Sequence, residues 1–103
     1  MITEPKFKSF KEFYPFYLSE HSKRSTKILH MIGSILVIYI LLYSINTQDW
    51  SKLYYLPIVG YGFAWTGHFF FEKNKPATFK YPLYSFIGDW VMLIDIIIGR
   101  VKL

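Results

Sequence analysis

At 103 residues the chain holds one domain at most, and its 52% apolar, 21% aromatic composition leaves no polar linker, low-complexity tract or repeat. Zero cysteines exclude disulfides and thiolate metal sites. The formal charge of +5 does not indicate nucleic acid, because Lys and Arg flank apolar runs, as topology signals and anionic-headgroup contacts do.

The N-terminal stretch lacks an apolar h-region and a small-residue cleavage site, so no signal peptide is expected. Residues 5–18 read as an interfacial amphipathic helix. Ser9 and Glu12 have capping-box spacing, and Phe7, Phe10, Tyr14, Tyr17 and Leu18 recur at helical intervals, with Lys6, Lys8 and Lys11 facing elsewhere. Packing of this helix on a bundle is an equal reading, and Pro15 is expected to kink it or end it early. His21 to Lys27 forms a polar hinge with three cations.

Ile28 to Ile45 is 18 residues without a charge, and Leu53 to Phe71 is 19. Each rises roughly 27–28 Å as a helix, enough for the hydrocarbon core of a bilayer. Spans are expected over about 25–45 and 50–72, joined by a short polar turn. Tyr81 to Ile98 is as long but carries Asp89 and Asp95, and Pro82 suits its first turn, giving a third span over about 81–99. The expected fold is all-α. It is a single polytopic membrane domain, a bundle of three transmembrane helices with an N-terminal interfacial helix.

Three spans put nine Lys and Arg on one side and three on the other. The positive-inside rule then makes the N-terminus cytoplasmic and sets the C-terminus opposite. The location would be a bacterial inner membrane, or the endoplasmic reticulum in a eukaryote.

That topology collects the polar groups. His21 and His30 lie near the cytoplasmic end of the first span, His68 and Glu72 close the second, and Asp89 sits about two turns into the third. On a regular helix His68 and Glu72, four apart, share one face. Gly60, Ala64, His68 and Glu72 form one row, and small residues let helices approach closely in lipid. Neutral imidazoles and carboxylates without thiolates suit iron, manganese or zinc; two or three histidines with a carboxylate and an open position suit non-haem Fe(II) and dioxygen. Plainer readings stand beside these. His68 could be a helix-end histidine paired with Glu72, His30 an interhelical hydrogen bond, and His21 a solvated hinge residue. Glu72 could be a ligand, a carboxylate orienting His68, or a solvated helix end. Asp89 is a functional candidate by its depth, and Asp95 a weaker one.

Phe13-Tyr14-Pro15-Phe16-Tyr17-Leu18-Ser19-Glu20-His21, then His30, then Gly67-His68-Phe69-Phe70-Phe71-Glu72-Lys73-Asn74-Lys75-Pro76-Ala77 carry a likeness. The chain resembles a membrane family first catalogued as of unknown function, typified by the Fe(II)-dependent 2-hydroxy fatty acid dioxygenase of the endoplasmic reticulum. The family pattern is a Tyr-rich segment, two histidines nine apart, and Gly-His-x-x-Phe-Glu-Lys-x-Arg-Pro-Ala. The resemblance implies that His21, His30 and His68 are the essential histidines and Glu72 the motif glutamate. It implies α-oxidation, in which a 2-hydroxy long-chain fatty acid and dioxygen give carbon dioxide and the acid one carbon shorter. Lys75 stands where the family usually has Arg, and a lysine offers a point charge in place of a bidentate clamp. The chain is also shorter than the eukaryotic enzyme and fits small bacterial-type relatives.

In the enzyme reading His21, His30 and His68 hold Fe(II) or another divalent metal, with Glu72 and Asp89 as catalytic carboxylates. Lys73, Lys75 and Arg24 attract the substrate carboxylate, and the acyl chain lies among the aromatic side chains. The alternative is a non-catalytic membrane protein that uses the same cluster for helix packing, lipid binding or partner assembly. The partners expected are the lipid bilayer, the fatty acid and dioxygen, with no nucleic acid; a unit this small is also compatible with a homo-oligomer.

Overall fold

In the computed structural model, which describes residues 7–103, every regular element is helical. The first helix, α1, spans Phe10–Ser19. Ser9 caps it, its hydroxyl accepting from the Glu12 N–H at 3.3 Å, while the Glu12 carboxylate reaches back to the Lys8 N–H at 3.2 Å. The box therefore closes one residue earlier than its usual form. Pro15 does not end the helix, which continues through Ser19. Proline removes one N–H and leaves φ helical, and α1 is held by side chains rather than by its own ladder. Positions 5 and 6 of the expected helix lie outside the described residues.

Phe13 and Tyr17, fully buried, pack with Ala77, Tyr81 and Met92, and Phe7, Phe10, Tyr14, Phe16 and Tyr84 surround them. Among the described residues most of the ring contacts belong to this layer, for instance Phe13 with Tyr81 and Tyr84, both at 5.4 Å. The interface of α1 with α4 (Pro82–Ile97) thus takes up part of the high aromatic content. Gly88 is needed there: a Cβ would stand 3.0 Å from the Tyr17 ring.

Helix α2, Arg24–Thr47, is 24 residues long and stops where Gln48 turns left-handed at φ 55°. A 3-10 turn, Trp50–Tyr54, leads into α3, Tyr55–Thr66, and a π-helical turn, Gly67–Glu72, follows directly. The second expected span is therefore one course of chain in three helical forms. Helix α3 runs antiparallel to α2: Gly67 meets Thr26, while Gly33 meets Phe63 and the Gly60 carbonyl. The small-residue row of Gly60 and Ala64 is thus used within the chain.

Among the described residues α2 alone is long and apolar enough to cross a membrane as a continuous helix, and only 17% of its apolar window is buried. Ile35, Tyr39, Leu42 and Ile45 are each more than half exposed. A soluble core helix buries such residues; of the three expected spans, the first is one long helix and the second is broken into three helical forms.

The C-terminus requires a second correction. Gly99, at φ 86°, closes α4 with the Arg100 and Val101 N–H groups on the Asp95 carbonyl. Lys27 Nζ then donates to the Lys102 carbonyl at 2.8 Å. The tail therefore returns to the N-terminal end of α2 instead of reaching the opposite end. Helix α4 crosses that end and packs on α1. Of the described cations, Lys52 alone remains at the hairpin tip.

Candidate metal centre

Three short local devices deliver the histidines. His21 follows α1 in a tight turn, its N–H on the Leu18 carbonyl at 3.1 Å, and its Nδ1 lies 2.6 Å from the Tyr17 carbonyl. His30 lies two turns into α2. His68 is carried by the π-helical turn, which begins where the Thr66 hydroxyl occupies the Gly62 carbonyl at 2.6 Å. Such turns recur at functional sites because they displace a side chain from the α-helical row.

The three imidazoles are 1%, 6% and 2% exposed, and one ligand atom from each lies within 4.8 Å of the others. The ring centroids of His21 stand 4.3 Å from His30 and 4.4 Å from His68. Two of the rings are fixed through Nδ1: His21 faces the Tyr17 carbonyl at 2.6 Å and His68 the Asn74 Oδ1 at 2.7 Å, both acceptors, so these two Nδ1 atoms carry the proton and their Nε2 atoms present lone pairs. The His30 Nδ1 stands 3.5 Å from the Asp89 carboxylate. Burial, and the nearby His68, push the His21 imidazole down to about 3, keeping it neutral.

The His21 Nε2 and the His30 Nε2 face each other at 3.1 Å, a distance that one proton between them or one bridging ion would satisfy. Two nitrogens each about 2.1 Å from one ion, at tetrahedral or octahedral angles, would stand roughly 3.0–3.4 Å apart. The donor set and its spacing fit a borderline divalent metal.

The outer contacts form a continuous network. The Tyr17 hydroxyl donates to Asp89 in a short hydrogen bond, and the Tyr17 ring stacks on His21 at 4.1 Å. Three residues earlier, the Tyr14 hydroxyl donates to Asp95 at 2.7 Å. Burial, reinforced by Asp95, holds the Tyr14 phenol above its usual range. Asn74 clamps His68 twice, since its own N–H bonds the His68 carbonyl at 3.0 Å, and its Nδ2 donates to the Glu20 carbonyl at 3.2 Å. Ser85 Oγ and Trp65 Nε1, buried without a hydrogen-bond partner, line a void of about 10 Å³ against His30, His68 and Asp89. That volume is about one water molecule.

A scan against protein-family models matches residues 7–101 to the 2-hydroxy-palmitic acid dioxygenase Mpo1-like family. The chain belongs to the Mpo1-like family. No curated protein and no solved structure gives a match.

The expected site residues of this Mpo1-like chain separate into two groups. His21, His30, His68 and Asp89 come together. Glu72 does not join them: its carboxylate accepts from the Ser22 hydroxyl at 2.9 Å and the Lys23 N–H at 2.5 Å, fastening the start of α2. Asn74 takes the place on His68 expected of Glu72. Arg24, Lys73 and Lys75 are exposed, and Lys73 forms the left-handed end of the π-helical turn at φ 63°. Sequence reasoning missed Asn74 and Tyr17 as contacts of the site. The signals for Tyr17 were its place in the Tyr-rich segment and its four-residue spacing from His21; none marked Asn74.

Proposed function

We propose that this chain is a membrane-embedded non-haem Fe(II) dioxygenase that shortens 2-hydroxy long-chain fatty acids by one carbon. One acid and one dioxygen give the shorter acid, carbon dioxide and water. The observation that carries the reading is the convergence of three buried imidazoles on one point, in a member of a family described as 2-hydroxy-palmitic acid dioxygenase-like.

In this reading His21, His30 and His68 would hold the ion. Bound there, Fe(II) supplies the one-electron chemistry with dioxygen that side chains lack. The protein contributes the rest. Asn74 and the Tyr17 carbonyl hold two of the rings in one tautomer and raise their basicity. The Tyr17 hydroxyl donates to Asp89 beside His30, and the aromatic layer of α1 and α4 keeps bulk water out. Arg24, Lys73 and Lys75, being exposed, serve at most to draw the anionic acid toward this end.

A bilayer location is supported by the exposed apolar surface of α2. The α2–α3 hairpin would enter the membrane with Lys52 at its tip. Helices α1 and α4 and the C-terminal tail would stay on the cation-rich cytoplasmic side, a sharper charge asymmetry than three spans give.

The test is incubation of iron-loaded protein with 2-hydroxypalmitate under dioxygen, with products read by mass spectrometry. A fifteen-carbon acid, absent with the non-hydroxylated acid and with His68→Ala, is expected. Its absence across several chain lengths would remove the catalytic reading.

A further inference from the structure

A cleft of about 380 Å³ opens beside the histidines and follows the α2–α3 hairpin away from them. One end holds His30, Ser34 and Asp89, with Phe86 and Trp90 beside them; the far end is Leu41 and Leu56. Between these ends the walls are apolar, with Val37 on α2 facing Gly60 on α3.

We infer that this cleft seats a single unbranched acyl chain, and that its length beyond the Val37–Gly60 level sets which chain lengths the protein accepts. The inference rests on the dioxygenase reading for its head-group end, but the tail end stands on geometry. From His30 to Leu41 is eleven residues, about 16 Å of helix. An extended chain of tetrahedral atoms advances about 1.2 Å per bond, as a polypeptide does over its three bonds per residue. The cleft therefore takes about 13 bonds of hydrocarbon beyond the carbons held at the histidines. Its volume of about 380 Å³ admits one chain of that length. One polar end and one apolar length match an acid with a single tail, and the continuity with His30 places the reactive end of that acid at the imidazoles.

Gly60 gives a means of shortening the cleft. A Cβ there meets only the Val37 Cγ2, at 3.5 Å, which is ordinary contact, so a larger side chain is admitted without moving backbone. Seven residues separate His30 from Val37, about 10 Å of helix. Gly60→Leu would block the remaining 6 Å or so, equivalent to about five bonds. Gly62, on the same helix with nothing within 4 Å of its Cβ, is the matched control.

Straight-chain acids of eight to eighteen carbons, with and without the 2-hydroxyl, would be titrated against displacement of a fluorescent fatty acid, and turnover measured in parallel. In Gly60→Leu the best-bound length should fall by about four to five carbons for both series, with metal content unchanged. Each methylene shut out should weaken binding by up to about fourfold, the limit set by transfer to water. Gly62→Leu should keep the original profile, and Val37→Phe should repeat the shift from the opposite wall. An unchanged profile in both cleft variants, or a uniform loss at all lengths with the fold intact, would overturn the proposal. A shifted binding profile without turnover of any acid would retain the cleft and remove the dioxygenase.

Discussion

Replacing Asn74 with alanine tests whether the clamp on His68 belongs to a metal centre or only to a turn. The substitution removes the 2.7 Å contact to Nδ1 and the 3.2 Å bond to the Glu20 carbonyl, and leaves the backbone bond to the His68 carbonyl. Two buried or half-buried groups lose partners, which costs about 1–3 kcal/mol of stability. Loss of the partner that orients a ligating histidine typically weakens metal binding about 10–100-fold, or about 1.4–2.7 kcal/mol. Asn74→Asp separates the two effects. It keeps an acceptor on Nδ1 and makes it more basic, while turning an oxygen on the Glu20 carbonyl. That variant should be less stable yet bind metal at least as well as the unaltered protein. The assay is chelator competition on detergent-purified protein, with circular dichroism to check the fold. Binding within twofold of unaltered protein in a folded Asn74→Ala, or equal weakening in both variants, would refute the reasoning.

Other expectations are independent of that clamp. Cysteines placed at Ser9 and Lys102 should label from one side with an impermeant thiol reagent and Gln48 from the other; labelling of Ser9 and Lys102 from opposite sides would restore a third span. Gly67→Ala should cost about 1–3 kcal/mol, because its Cβ would meet Thr26 at 3.0 Å and 3.3 Å, whereas Gly62→Ala should stabilise by about 0.5–1 kcal/mol, both read from thermal unfolding. Glu72→Ala should lower stability by about 1 kcal/mol through loss of its bonds at the start of α2, with metal affinity changed less than threefold. A large affinity loss would return Glu72 to the site.

The histidines were legible because ionisable groups near the ends of apolar runs are costly and so stand out. Their convergence followed from a hairpin, which the structure retains. The third stretch was harder to read because an apolar run of that length suits a membrane and an aromatic interface equally. Its two aspartates held the clue, being acceptors for Tyr17 and Tyr14 on α1. Glu72 was misplaced because four-residue spacing presumes an α-helix, and Gly67–Glu72 closes wider turns. Asn74 lies past a left-handed Lys73, where no periodicity reaches.

Elemental analysis of purified protein beside its His21→Ala, His30→Ala and His68→Ala variants tests the central claim most directly. Phe70→Ala, at a 68% exposed position, serves as control. The account expects about one divalent ion per chain, retained in the Phe70 variant and largely lost in each histidine variant. Stoichiometric metal persisting in the His68→Ala protein, or none in the unaltered protein after Fe(II) loading, would contradict it.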